Sequence, residues 1–172
     1  MNEVFEELKE MWEGTDKKAV SEFVDLVCAS REKVLIGLGA GRMGYAVQSF
    51  IMRMSHLGHS SYMIGDTTLP RVDKDSIVVV NTSSGETPSI RLYVEQCRKA
   101  GCHIVVVTAR VNSSMADMAD LVIAIPSINS KQIMKTVFEQ YSFILFDHIA
   151  ARVFVQSNLD RDWVEQNHSI LE

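Results

Sequence analysis

Hydrophobic positions along the chain follow two different periods, and the change between them divides the sequence. Phe5, Leu8 and Met11-Trp12, then Val20, Phe23, Val24 and Val27, recur at helical spacing on either side of a break at Gly14-Thr15-Asp16. Two helices are predicted there. Beyond them come short, nearly continuous apolar runs: Val34–Leu38, Tyr62–Ile64, Ile77–Val80, Ile104–Val107 and Leu121–Ile125. These runs are β-branched and bounded by turn residues, which predicts strands covered on both faces. Helix-like stretches at 42–57, 86–100 and, briefly, 114–119 lie between them. The alternation predicts an α/β fold, a three-layer αβα sandwich around a five-stranded parallel sheet with right-handed crossovers.

A last helical stretch is predicted over 131–156, and it is apolar around much of its circumference, with Val137, Phe138, Tyr141, Phe143, Ile144, Phe146, Ile149, Val153 and Phe154. A helix of that kind is covered on more than one side, and a second subunit is a natural cover in a small chain. A tail from Asp160 to Glu172 carries Trp163 and His168. With no linker, repeat or low-complexity segment, 1–172 reads as one domain, with a helical segment over 1–30 and the long helix and tail over 131–172.

Composition narrows the function. The chain has 172 residues, 47% of them hydrophobic and 23% charged, with a net charge of -5. That acidic balance, with no basic stripe, excludes a nucleic-acid binder. The acidic opening Met1-Asn2-Glu3-Val4-Phe5-Glu6-Glu7 predicts no secretory signal, and the apolar runs are too short for a bilayer. A cytoplasmic protein with no membrane contact is expected. Cys28, Cys97 and Cys102 are odd in number and lack CxxC spacing, which fits reduced, buried thiols. His56 and His59 form an HxxH without a third ligand, so no metal site is expected.

The candidate chemistry lies in two turns. Gly37-Leu38-Gly39-Ala40-Gly41-Arg42-Met43-Gly44 leaves the first strand and opens a helix, and Gly39 to Gly44 spells G-x-G-x-x-G. Glycines there admit an anion to the backbone and to the helix N-terminus. A dinucleotide is one reading, with Asp66 after the second strand as the ribose-binding acid. Close packing of strand on helix, with no ligand, is another. The second turn, Asn81-Thr82-Ser83-Ser84-Gly85-Glu86-Thr87, ends the third strand and offers four hydroxyls where a helix cap needs one. In a sheet ordered 2-1-3-4-5 the two turns are neighbours at the switch point and open onto one crevice. A phosphate site requires that pairing; a dinucleotide domain does not.

Gly39-Ala40-Gly41-Arg42, Met52-Arg53, His56-Leu57-Gly58 and Ser84-Gly85-Glu86-Thr87 together resemble sugar isomerase (SIS) domains. With Phe138-Glu139-Gln140 and with His168 before the terminal Leu171-Glu172, the chain is most similar to the 6-phospho-3-hexuloisomerase branch of that family. The resemblance runs over nearly the whole chain. It implies a flavodoxin-like SIS fold, a homotetramer, no metal or organic cofactor, and conversion of 3-hexulose 6-phosphate to fructose 6-phosphate; isomerisation of a different sugar phosphate, or a non-catalytic sugar-phosphate-binding SIS module, is the alternative. The chain departs from the pattern in three places: Met43 replaces a serine, Ile133-Met134-Lys135-Thr136 replaces a glycine-containing segment, and the Ser127–Ser130 loop is shorter. The departures bear on which sugar fits.

On that resemblance, the sugar phosphate is expected to bind at Gly41, Arg42, Thr82, Ser83, Ser84, Gly85, Glu86 and Thr87. Arg42 would lie near the sugar oxygens. Glu139, among apolar neighbours, is expected as the base of an enediol mechanism; from the residues alone, a polar face or pairing with a basic side chain serves equally well. His56 and His168 are expected to complete the acid–base set, although His56 also reads as the cationic end of a helix. Glu86 reads equally as a first-turn carboxylate.

Overall fold

The computed structural model describes residues 1–169; the terminal Leu171-Glu172 used in the resemblance lies outside them. Helices α1 (Asn2–Gly14) and α2 (Lys17–Ala29) lead into β1 (Val34–Gly39), α3 (Gly41–His56), β2 (Ser61–Met63) and β3 (Ser76–Asn81). Then follow α4 (Pro88–Lys99), β4 (His103–Thr108), a single 3-10 turn (Ala116–Met118), β5 (Leu121–Ala124), α5 (Thr136–Gln156) and α6 (Arg161–Gln166). The five strands form one parallel sheet in the order β2-β1-β3-β4-β5, as expected.

Strand alternation sends Leu35, Ile77, Val79, Val105, Val107 and Ile123 to one face, against α1, α2, α3 and α5. Ile36, Leu38, Val78, Val80, Ile104 and Val106 go to the other, where α4 and Met115 cover them. Both faces are therefore dry, which is why these strands read as unbroken apolar runs. The thicker layer is joined by aromatic packing, with Phe50 of α3 set 5.9 Å from Phe23 of α2 and 4.9 Å from Phe146 of α5. The break between α1 and α2 is tied down as well. Thr15, 5% exposed, shares a 2.7 Å hydrogen bond with Tyr141 of α5, and the Asp16 carboxylate accepts from the Lys18 and Ala19 N–H groups to cap α2.

Three elements differ from the sequence expectation. α4 starts at Pro88, with Thr87 as its N-cap, because Gly85 adopts φ +66 and holds 84–87 as a turn. The stretch at 114–119 closes only one 3-10 turn. The long helix starts at Thr136, since Met134 takes φ 54 and stops it from reaching back to 131. Residues 126–135 instead form a loop braced by α1: the Glu7 carboxylate accepts from the Lys131 N–H (2.8 Å), the Ser130 hydroxyl (3.0 Å) and the Gln132 side-chain amide (2.8 Å).

The tail docks. α6 sits across the far ends of α3 and α5, with Trp163 against Gly58 and Arg31, and the Asn167 amide donates to the His56 carbonyl at 3.0 Å. Among the described residues, no helix is long and apolar enough to cross a membrane, and no cluster of three His, Cys, Asp or Glu side chains is placed to hold a metal ion.

Candidate active site

The register Gly39↔Asn81 puts the ends of β1 and β3 side by side, so both turns do leave the carboxyl edge of the sheet together. The glycines of the first turn divide their work. A Cβ on Gly44 would lie 2.8 Å from the Gly39 carbonyl oxygen, and one on Gly39 would lie 3.0 Å from the Gly44 nitrogen. These two let α3 pack directly on β1. Gly41 is different: it has φ +55, and a Cβ there would have nothing within 4 Å. Its bare backbone faces open space at the first turn of α3, as an approaching anion requires. Asp66 closes its own turn, its carboxylate accepting from the Met63 N–H at 2.8 Å.

The second turn is pre-shaped by its own hydroxyls. Thr82 Oγ1 accepts from the Gly85 N–H (3.1 Å), and Ser84 Oγ accepts from the Glu86 N–H (3.2 Å). Thr82 and Ser83 are buried while Ser84 is open. Glu86 serves the cradle from outside. Its carboxylate accepts from the Ser114 N–H and hydroxyl, both at 2.8 Å, tying the turn to the loop after β4. The Ser114 N–H, then its hydroxyl, hold the Glu86 carboxyl below its usual range. Both oxygens being engaged, Glu86 acts as a brace for the turn.

Buried Asn81 links this turn to the helices. Its side-chain amide donates to the Met43 carbonyl (2.9 Å) and to Ser142 Oγ (3.1 Å), while Ser142 donates to the Glu139 carbonyl (3.1 Å). The first turns of α3 and α5 are thereby held against the end of β3. That brings Arg42 and Glu139, 97 residues apart, into contact at 2.5 Å between Nε and Oε2. The Glu139 side chain is 15% exposed and that of Arg42 is 66% exposed, so the pair opens on one side to solvent. Met43 lies between the two turns, its sulfur accepting from the Ser83 N–H at 3.2 Å.

His56 and His168 are brought together, but not to this site. Their rings lie 5.1 Å apart beside Arg53, whose guanidinium is 3.5 Å from His56 Nδ1. Arg42 and His56 stand at opposite ends of α3, about 21 Å apart at 1.5 Å per residue. The expected acid–base residues therefore fall into two groups, one at each end of the α3–α5 pair.

Two features escaped sequence reasoning. A cavity of about 150 Å³ lies at the carboxyl edge between Ser83 and the 126–135 loop, reaching Lys135 and Phe138. An open groove of about 510 Å³ runs beside the Arg42–Glu139 pair, floored by Leu8, Tyr45, Phe143 and Ile144. Both depend on the packing of α1 and the loop, which no local pattern encodes.

Comparison with known proteins fits this architecture. A curated protein of Archaeoglobus fulgidus with no assigned function is 31% identical over 98% of this chain and 96% of its own length. A Methanocaldococcus jannaschii protein named 3-hexulose-6-phosphate isomerase is 29% identical, covering 88% of this chain and 83% of that one. The crystal structure of a Methanococcus jannaschii protein, from which the molecular function of 3-hexulose-6-phosphate isomerase was inferred, superposes with a TM-score of 0.85 at 29% identity, covering 99% of this chain and 96% of that one. The family model for the SIS domain matches residues 34–146, from the start of β1 into α5 and so across both turns and Glu139, and the chain belongs to that family.

Proposed function

We propose that this protein isomerises a sugar phosphate, converting 3-hexulose 6-phosphate to fructose 6-phosphate. The observation that carries the reading is the Glu139 carboxylate, held by Arg42 and by the Asn81–Ser142 link next to the hydroxyl-rich turn. Relatives named for this reaction support the choice of substrate. The phosphate binds at Thr82, Ser83, Ser84 and Thr87 with the backbone of Gly41 and Gly85, and it fixes the sugar carbons against Glu139. Glu139 removes the proton from C2 as the C3 carbonyl oxygen gains one, which gives a 2,3-enediol. Return of a proton to C3 and loss of the O2 proton leave the carbonyl at C2. No atom is gained or lost. Arg42 stabilises negative charge on the enediol oxygens.

Formation of fructose 6-phosphate from enzymatically generated 3-hexulose 6-phosphate is the direct test, and robust turnover is expected. An absence of turnover by folded protein would overturn the reading.

Two groups of site residues at opposite ends of α3 fit an oligomer in which a second copy completes each site. Tyr45, Phe143 and Ile144 expose 70%, 44% and 50% of their surface along α3 and α5, an apolar face that a second copy would cover. A two-fold axis across α5 sets the start of one copy's helix opposite the end of the other's. Glu139 of one subunit then meets His56 and His168 of a second, which serve as the proton shuttle, and two such dimers make the tetramer. If so, co-expressed Glu139→Gln and His168→Asn chains, each inactive alone, recover about a quarter of wild-type activity through mixed dimers with one intact site. Mixtures as inactive as their components would mean that one chain supplies both residues to a site, and an active His168→Asn chain on its own would remove His168 from the mechanism.

A further inference from the structure

Lys135, an exposed residue, lines the cavity between Ser83 and the 126–135 loop, and the reaction above gives it no part. Lys135 is the one charged residue among those lining it; Ser83, Ser127, Asn129 and Ser130 supply the polar wall, and Met11 and Phe138 part of the apolar one. The cavity has a volume of about 150 Å³ and runs from the phosphate turn to the start of α5. Ser83 is 7% exposed, and among the described residues no hydrogen bond engages its hydroxyl. Lys135 likewise forms no ion pair among the described residues. Ser83 of the phosphate turn and exposed Lys135 therefore line the same space, one at each side of it.

The loop that presents Lys135 is built, not slack. Glu7 braces its middle through three hydrogen bonds, and Thr136 Oγ1 donates to the Ile133 carbonyl at 2.8 Å across its last turn. Met134 holds φ 54, a conformation that residues other than glycine adopt at a cost, and it sets the direction of the chain one residue before Lys135.

We propose that Lys135 is a substrate-contacting specificity residue: its ammonium receives the oxygens of the sugar end remote from the phosphate, so the site prefers phosphosugars whose far end is anionic. This rests on the sugar-phosphate reading of the site and names the ligand class more narrowly. A sugar acid carrying both phosphate and carboxylate is such a ligand. Charge-assisted hydrogen bonds distinguish such a ligand from a neutral-ended sugar phosphate.

Titration calorimetry of the full chain with 6-phosphogluconate, fructose 6-phosphate and inorganic phosphate tests this. Wild type is expected to bind 6-phosphogluconate more tightly than fructose 6-phosphate. Lys135→Gln is expected to weaken 6-phosphogluconate about 10- to 100-fold, to leave inorganic phosphate nearly unchanged, and to melt like wild type, while Lys135→Arg keeps most of the affinity. Unchanged binding of 6-phosphogluconate by Lys135→Gln would overturn the role of Lys135 and leave the isomerase reading standing. Failure of wild type to bind any of the three would overturn that reading together with this one.

Discussion

Glu139→Gln is expected to lower kcat by about 10²- to 10⁴-fold while substrate still binds, the range over which a positioned general base contributes. The geometry makes the substitution selective. Glutamine fills the same volume and can still face Arg42, but it cannot take a proton from carbon. What remains are the contacts with the phosphate, so KM changes little and the loss falls on kcat. Stability is barely affected, because a pair with Arg42 66% exposed is worth about 0–1 kcal/mol, or about 4 °C in melting temperature at most. That separation is the useful part. A variant that is inactive and unfolded would say nothing about the base, whereas an inactive variant melting like wild type identifies it. Near-normal turnover would remove Glu139 from the role.

Much of this arrangement is written in local pattern. β1, β3 and β4 are covered on both faces, so their runs of Val, Ile and Leu need no context to be read, and the strand order follows from short crossovers. β2 is weaker: its three residues are only partly buried, at the edge of the sheet, and only its centre is visible in Tyr62–Ile64. The start of the long helix misleads because Ile133 and Met134 continue the apolar pattern of α5 while lying in a loop, 78% and 91% exposed. Periodicity cannot tell an apolar residue that packs in the core from one left open. The two turns are legible because glycine and hydroxyl residues have few other reasons to cluster after a strand. What joins them to Glu139 is not legible, since the Asn81–Ser142 bond spans 61 residues and follows from how α3 and α5 lie on the sheet. His56 and His168 show the reverse case: the residues stand out, but their place at the other end of α3 appears only when the helix is given its length.

Gly85→Ala is expected to cost about 2–4 kcal/mol of stability, which for a chain of this size is about 4–16 °C in melting temperature, and to abolish phosphate binding. Two penalties combine. The residue has φ +66, where an L side chain is strained, and its new Cβ would overlap the Ser113 hydroxyl and lie 2.6 Å from Ser113 Cβ. Ser113 cannot easily yield. It is 3% exposed, and its carbonyl and hydroxyl accept from Asp117 and Ala116 at the 3-10 turn, while the Met115 N–H donates to the Gly85 carbonyl at 3.2 Å. Any movement that admits the methyl group therefore pulls the cradle away from the loop that Glu86 ties to it. Gly41→Ala is the matched control. It carries a similar φ of +55 with nothing within 4 Å, so only the backbone strain remains, about 1–2 kcal/mol. The double variant Gly85→Ala with Ser113→Gly separates the two penalties further. Removing the opposing side chain should recover the steric part and leave the strain, a coupling that independent sites do not show. Equal melting temperatures for Gly85→Ala and wild type would mean that the turn relaxes freely, and a turn that relaxes freely is no pre-shaped phosphate cradle.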